Sequence, residues 1–109
     1  MVEQLDRTFA ALADPTRRAI LGRLRRGPAT VGQIAAPFEI SLNGVSKHVR
    51  VLEEAGLVER KVEGREHHLR LRADPLRKVA RYAAGYADFW EGRLDALEQH
   101  LRTKRKARR

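Results

Sequence analysis

Between Ser41 and Arg50 the chain reads Ser-Leu-Asn-Gly-Val-Ser-Lys-His-Val-Arg. Val45, Val49 and Leu52 recur at steps of four and three, which predicts a helix with one apolar face. Leu42, Asn43, Ser46, Lys47 and Arg50 then share the opposite face, and His48 falls between the two. No acidic residue occurs from Ser41 through Leu52, and Glu53 and Glu54 follow at the far end. Hydroxyls, an amide, an ammonium and a guanidinium on one face suit hydrogen bonding to phosphates and to base edges in a major groove. Lys47 and Arg50 can pair with phosphate or guanine, and Asn43 can read adenine. Ser41 is a good N-cap, and the free N–H groups of the first turn behind it attract an anion.

These residues need elements to hold them. Leu5, Phe9 and Leu12 predict a first amphipathic helix over residues 3–13. Asp14-Pro15 restarts the chain, Asp as cap and Pro at the first helical position, and Ile20, Leu21 and Leu24 line a second helix to about Arg26. Gly27-Pro28 ends it. Thr30 caps a short third helix through Val31, Ile34 and Ala35, stopped by Pro37. The fourth helix is the one that begins at Ser41, and Gly56 closes it. The period then changes to two. Val58–Val62 and His67–Leu71 alternate in character around Glu63-Gly64-Arg65-Glu66, a hairpin turn. Asp74-Pro75 repeats the restart signal. One long helix is expected from Pro75 to about Leu101, with Leu76, Val79, Ala83, Tyr86, Trp90, Leu94, Leu97 and Leu101 as its apolar line. The last eight residues, 102–109, hold six basic groups.

The fold class expected is mainly α with a small β-hairpin, in the order α-α-α-α-β-β-α. Helices three and four, joined through Pro37-Phe38-Glu39-Ile40, read as a helix-turn-helix, and the hairpin as its wing. The expected organisation is one domain over 1–101 followed by a basic tail over 102–109.

The formal charge is +9, with 23 basic against 14 acidic residues. That balance points to a polyanion, nucleic acid before anionic lipid. Six of those charges sit in 102–109, however, and without them the balance is 17 to 14. Charge alone is therefore weak support for specific reading. Cysteine is absent, which removes disulfides, thiolate metal sites and cysteine nucleophiles. Met1 to Asp6 carry acid where a signal peptide carries base, and no apolar run approaches the ~20 residues of a bilayer span, so a cytoplasmic protein without membrane contact is expected. No glycine-rich phosphate loop and no Ser–His–carboxylate spacing is present, so no enzyme is expected.

Phe9-Ala10-Ala11-Leu12-Ala13-Asp14-Pro15-Thr16-Arg17-Arg18-Ala19-Ile20-Leu21 resembles the N-terminal signature of the ArsR/SmtB-type winged-helix repressors. Ser41, Val45-Ser46-Lys47-His48-Val49 and Leu52-Glu53-Glu54-Ala55-Gly56-Leu57-Val58 resemble that family's recognition helix and its exit, and Glu63-Gly64-Arg65 its wing tip. The resemblance covers nearly the whole chain up to the basic tail. It implies a homodimer that binds a palindromic operator in double-stranded DNA and represses transcription. The positions that match DNA-approaching residues of the family are Ser41, Asn43, Ser46, Lys47 and His48, with Arg65 and its neighbours reaching the minor groove or backbone. Arg50 joins them from the outward face, and Lys61 from the hairpin. The resemblance also implies a dimer built by the first and last helices, here Leu5, Phe9, Tyr86, Phe89, Trp90, Leu94, Leu97 and Leu101.

The family's metal sensors carry a cysteine pair on the third helix or paired Asp and His on the last. Here the third helix reads Val31-Gly32-Gln33-Ile34-Ala35-Ala36, and the last has the single histidine His100. His67 and His68 are adjacent on a strand and point to opposite faces. No metal or other cofactor is expected, and the chain resembles the cysteine-free branch, for which the sequence names no effector. The alternative is a winged-helix module that binds protein or coats DNA without sequence preference.

Overall fold

The computed structural model describes residues 2–107, the side chains of Val2, Trp90, Lys106 and Ala107 aside. Its first helix, α1 (Val2–Leu12), and its second, α2 (Pro15–Leu24), meet at a corner made by Asp14-Pro15-Thr16-Arg17-Arg18. The Arg17 N–H donates to Asp14 Oδ2 at 3.0 Å, so Asp14 caps α2, and Pro15 occupies a position that needs no N–H. The same stretch closes α1. Arg17 donates from Nε to the Ala11 carbonyl at 2.7 Å and from Nη2 to Ala10 at 3.0 Å, and Arg18 Nη1 donates to Leu12 at 2.7 Å. A helix leaves its last carbonyls unpaired and its C-terminal end negative, and two guanidinium groups answer both needs.

Strand β1 (Ala29–Thr30) leads into α3 (Val31–Ala35) and then α4 (Leu42–Glu54). Thr30 forms a capping box with Gln33 at the start of α3, as a Thr three residues before Gln permits. Strands β2 (Val58–Glu63) and β3 (Glu66–Leu71) form the hairpin, with Val58 opposite Leu71 and Glu63 opposite Glu66. The sheet is antiparallel in the order β1-β3-β2. β1 was not legible in the sequence, because two residues are too few to show a period. Ile20, Leu24, Ile34, Val45, Val49, Leu52, Leu57 and Leu69 are the buried centre of this first unit, residues 1–79. Phe38 packs against them from the turn between α3 and α4.

Helix α1 differs from its expected face. Thr8 and Ala11 are buried, Leu5 and Leu12 are half-buried, and Phe9 is 40% exposed. Thr8 satisfies its hydroxyl by donating to the Gln4 carbonyl at 2.9 Å. The two buried positions among the described side chains of α1 therefore carry small groups.

The expected helix over 75–101 is two helices, α5 (Asp74–Ala84) and α6 (Ala87–Ala107). Asp74, expected as a cap, is the first residue of α5. At the break the Gly85 N–H is shared between the Arg81 and Tyr82 carbonyls, both at 3.3 Å, and the Tyr86 N–H takes Ala83 at 3.0 Å. The turn tightens and stops there, where Gly85 weakens it. Helix α6 continues past Leu101, so the basic run is helical through Ala107, in keeping with cations at a helix C-terminus. In the second unit, residues 80–109, every described side chain from Ala80 to Arg105 is exposed. Among the described residues no helix is long and apolar enough to cross a membrane.

Two residues, Gly64 and Arg65, turn the hairpin, and Gly64 has φ +62° while Arg65 does not have positive φ. A two-residue hairpin with positive φ only at its first central position is the pattern of a type II′ turn, which places glycine there. Gly64→Ala is expected to destabilise the hairpin by about 1–2 kcal/mol, since a side chain at positive φ meets its own carbonyl. Amide hydrogen exchange should quicken across β2 and β3 and stay unchanged in α2.

Candidate nucleic-acid interface

Helix α4 is fixed by what it buries. Val45, Val49 and Leu52 are fully buried, and Leu42, Asn43, Lys47 and Arg50 stand exposed on the other side, with Ser46 half-buried at its edge. Ser41 Oγ accepts from the Gly44 N–H at 3.0 Å, which anchors the first turn. No acid lies in that turn. Neither Lys47 nor Arg50 has an ion-pair partner among the described residues. The face is thus polar, cationic and uncompensated, with Leu42 as an apolar patch at its leading end.

The hairpin divides its residues by alternation. Val58, Arg60 and Val62 lie opposite Leu71, Leu69 and His67, and Leu69 and Val58 belong to the core. Arg60, Val62 and His67 therefore share the inward face of the wing. Glu59, Lys61 and Glu63 lie opposite Arg70, His68 and Glu66 on the outward face, where each of the two cations meets a carboxylate. Lys61 meets Glu63 at 3.3 Å, Arg70 bonds Glu59, and His68 meets Glu66 at 3.2 Å. The guanidinium beside it holds the Glu59 carboxyl below its ordinary value. The structure thus places Lys61 against a carboxylate and on the face turned from the core, away from Arg60 and His67.

Arg60 is also occupied. It holds Glu53 of α4 at 2.5 Å through Nη2 and bonds His67 Nδ1 at 2.9 Å through Nη1. An arginine only donates, so His67 Nδ1 accepts and Nε2 carries the ring hydrogen. Between α3, the start of α4 and the wing lies a groove of about 600 Å³, whose walls include Gln33, Leu42, Ser46, Arg65 and His67. Ser46 and Arg65 both line it. Arg65, at the turn, has no ion pair among the described residues. The sequence reading missed His67 as a groove residue, although period two counted from buried Leu69 would have placed it.

His48 sits differently from its neighbours. Its Nδ1 is 3.4 Å from Arg17 Nη1 and 3.8 Å from Asp14 Oδ2. The Arg17 backbone N–H, above all, holds the Asp14 carboxyl below its ordinary value, with the charge of Arg17 adding to it. Asp14 and Arg17 entered the sequence reading only as a helix restart and part of a signature, and no local pattern could show that they reach α4.

Of the apolar residues expected between protomers, Leu5 is half-buried, and Phe9, Tyr86, Phe89, Leu94, Leu97 and Leu101 are exposed. The Trp90 side chain lies outside the described residues, as do Arg108 and Arg109. Tyr82 and Tyr86 stack obliquely with ring centres 5.5 Å apart, and Arg93 lies over the Phe89 ring at 4.4 Å. Among the described residues no group of three or more His, Asp or Glu side chains is arranged to hold a metal ion.

The comparisons with known proteins agree with this geometry. A helix-turn-helix domain model matches residues 12–61. A transcriptional repressor of Bacillus subtilis, SdpR, is 41% identical over 54 residues, 50% of this chain and 60% of that protein. The chain spans about half the length of other curated regulators that it matches. The solved homodimeric winged helix-turn-helix DNA-binding domain of a possible ArsR-family regulator from Mycobacterium bovis is 29% identical, with a TM-score of 0.65, covering 84% of this chain and 85% of that one. A crystal structure of an ArsR family transcriptional regulator is 43% identical, with a TM-score of 0.77, and the match covers 84% of this chain and 94% of that one. An uncompensated reading helix beside a wing, together with identity of that extent, shows that the chain belongs to the ArsR/SmtB-type winged helix-turn-helix family of transcriptional regulators.

Proposed function

We propose that this chain is a transcriptional repressor that binds a palindromic operator in double-stranded DNA as a homodimer, in the cytoplasm, and is no catalyst. One observation carries the reading. Of the lysines and arginines from Ser41 to Leu71, those in the hairpin strands are paired, and the three left without an ion pair among the described residues are Lys47, Arg50 and Arg65, on the reading helix and the wing tip. Ser41 and the first-turn amides would hold a phosphate, Asn43, Ser46 and Arg50 would face base edges, and Leu42 would meet a thymine methyl. Repression is supported by the likeness to the Bacillus repressor, and two-fold assembly by the likeness to the homodimeric Mycobacterium domain. Phe89, Leu94, Leu97 and Leu101 supply the apolar surface for it.

Selection from a random pool should return a palindrome with half-sites about 34–36 Å apart. Affinity for it should exceed that for random duplex by about 10³-fold or more. Equal affinity for both would leave a module that coats DNA without preference. Lys47→Ala should weaken operator and random DNA alike and lower the salt slope by about 1, and Arg50→Ala should relax one base position, at a cost of about 1–3 kcal/mol. Thermal unfolding of both variants should match the parent, since both side chains are exposed.

Leu94→Ala should loosen the dimer about tenfold or more, because a buried leucine contributes about 1.5–3 kcal/mol. Sedimentation velocity over a dilution series reads this directly, and an unchanged dimer at the lowest concentration would place the interface elsewhere.

A further inference from the structure

We propose that Arg17 is a positioning residue that sets the reading helix through His48, and that His48 orients α4 and does not read a base. The proposal rests on the DNA-binding reading and deepens it.

The Arg17 guanidinium is used on both sides. One edge donates to the Ala10 and Ala11 carbonyls at 3.0 and 2.7 Å, so the group is fixed to the end of α1. Its remaining nitrogen, Nη1, stands 3.4 Å from His48 Nδ1 in the first half of α4. Arginine has no acceptor, so this contact selects the His48 tautomer with the hydrogen on Nε2. Asp14 closes the set from the side, capping α2 through the Arg17 N–H and facing His48 at 3.8 Å. The ends of α1 and α2 and the face of α4 are thus joined by one planar cation in a fixed fork. A lysine could not do this, because a single ammonium point cannot hold two carbonyls and a ring nitrogen in that plane.

His48 differs from Lys47 and Arg50 in the way a brace differs from a probe. Those two are exposed and unpaired, and His48 is half-buried with its Nδ1 turned to residues of its own domain. Three buried valine and leucine side chains fix the axis and depth of α4 and forbid turning it by a whole position, but such contacts are non-directional and leave small rotations and slides soft. A directional contact at His48 removes that freedom at the level of Ser46 and Lys47.

The test separates positioning from contact. Arg17→Met keeps the stem and removes the fork, and His48→Ala removes the acceptor. Each should lower operator affinity about tenfold. Affinity for random duplex and the salt slope should stay at parental values, because neither residue neutralises a phosphate. The double variant should lose no more than the larger single loss, since both changes break one contact. Arg17→Lys should not restore affinity. Nitrogen-15 ring shifts of His48 in the free parent should report the Nε2–H tautomer and should change in Arg17→Met, which tests the brace without DNA and without requiring His48→Ala to fold. Unchanged operator affinity in Arg17→Met, additive losses, or a His48 ring with its hydrogen on Nδ1 would overturn the proposal. A parent chain that shows no operator preference, with the ring shifts as expected, would instead overturn the operator-reading function and leave the brace as a fold contact.

Discussion

Val45, Val49 and Leu52 have no solvent-exposed surface, and this decides what the rest of the molecule can present. Each contributes about 1.5–3 kcal/mol by leaving water, so turning α4 by even one position would forfeit more than any surface interaction could return. The opposite face therefore goes outward by necessity, whatever it carries. What it carries is Leu42, Asn43, Lys47 and Arg50, with no carboxylate among them. The turn from α3 is tied to the same core by Phe38, and the exit by Leu57 and Val58. A reading face of this kind is thus the complement of the hydrophobic stripe, and it inherits that stripe's rigidity.

The parts of the fold that local chemistry controls were legible in the sequence. Ser41 and Thr30 cap the helices they precede, Gly56 takes φ +77° after α4, and Gly64 turns the hairpin. Each needs only its immediate neighbours. The break at Gly85 was not legible, because Ala83, Tyr86 and Leu94 continue a helical spacing across it, and an apolar line does not register one loosened turn. Lys61 and His67 show a second kind of failure. Lys61 was expected at the interface for its charge alone, whereas the strand period sorts the hairpin's side chains, placing Lys61 with Glu63 and turning His67 toward the groove. The contact from Arg17 to His48 is a third kind. It joins residues 31 positions apart, and no periodicity reports a tertiary hydrogen bond.

The electrostatics follow the same division between local and tertiary. A net charge of +9 describes the chain, but the structure distributes it unevenly. Arg60 is spent on Glu53 and His67, and Arg17 and Arg18 on carbonyls of α1. These cations hold elements together and have little left for a partner. On α4 and the hairpin, Lys47, Arg50 and Arg65 remain without an ion pair among the described residues. Their value lies in being unpaired before any ligand arrives, since no internal salt bridge must break for them to meet a phosphate.

Three such cations on α4 and the wing tip also bear on assembly. Counterion release gives a salt exponent of about 0.9 for each phosphate neutralised, so one copy with three or four contacts would hold DNA weakly at ordinary salt. Two copies joined rigidly double that number and add the geometric demand that both helices meet the groove one turn apart. On the proposed reading, the exposed line Phe89, Leu94, Leu97 and Leu101 is therefore as much a part of DNA recognition as Asn43 or Arg50. It makes no contact with a base, yet it converts a marginal single-site attraction into a two-site one whose selectivity depends on spacing. The basic end of α6 through Ala107 would add attraction without selectivity, because cations on an exposed helix end meet phosphates of any sequence alike.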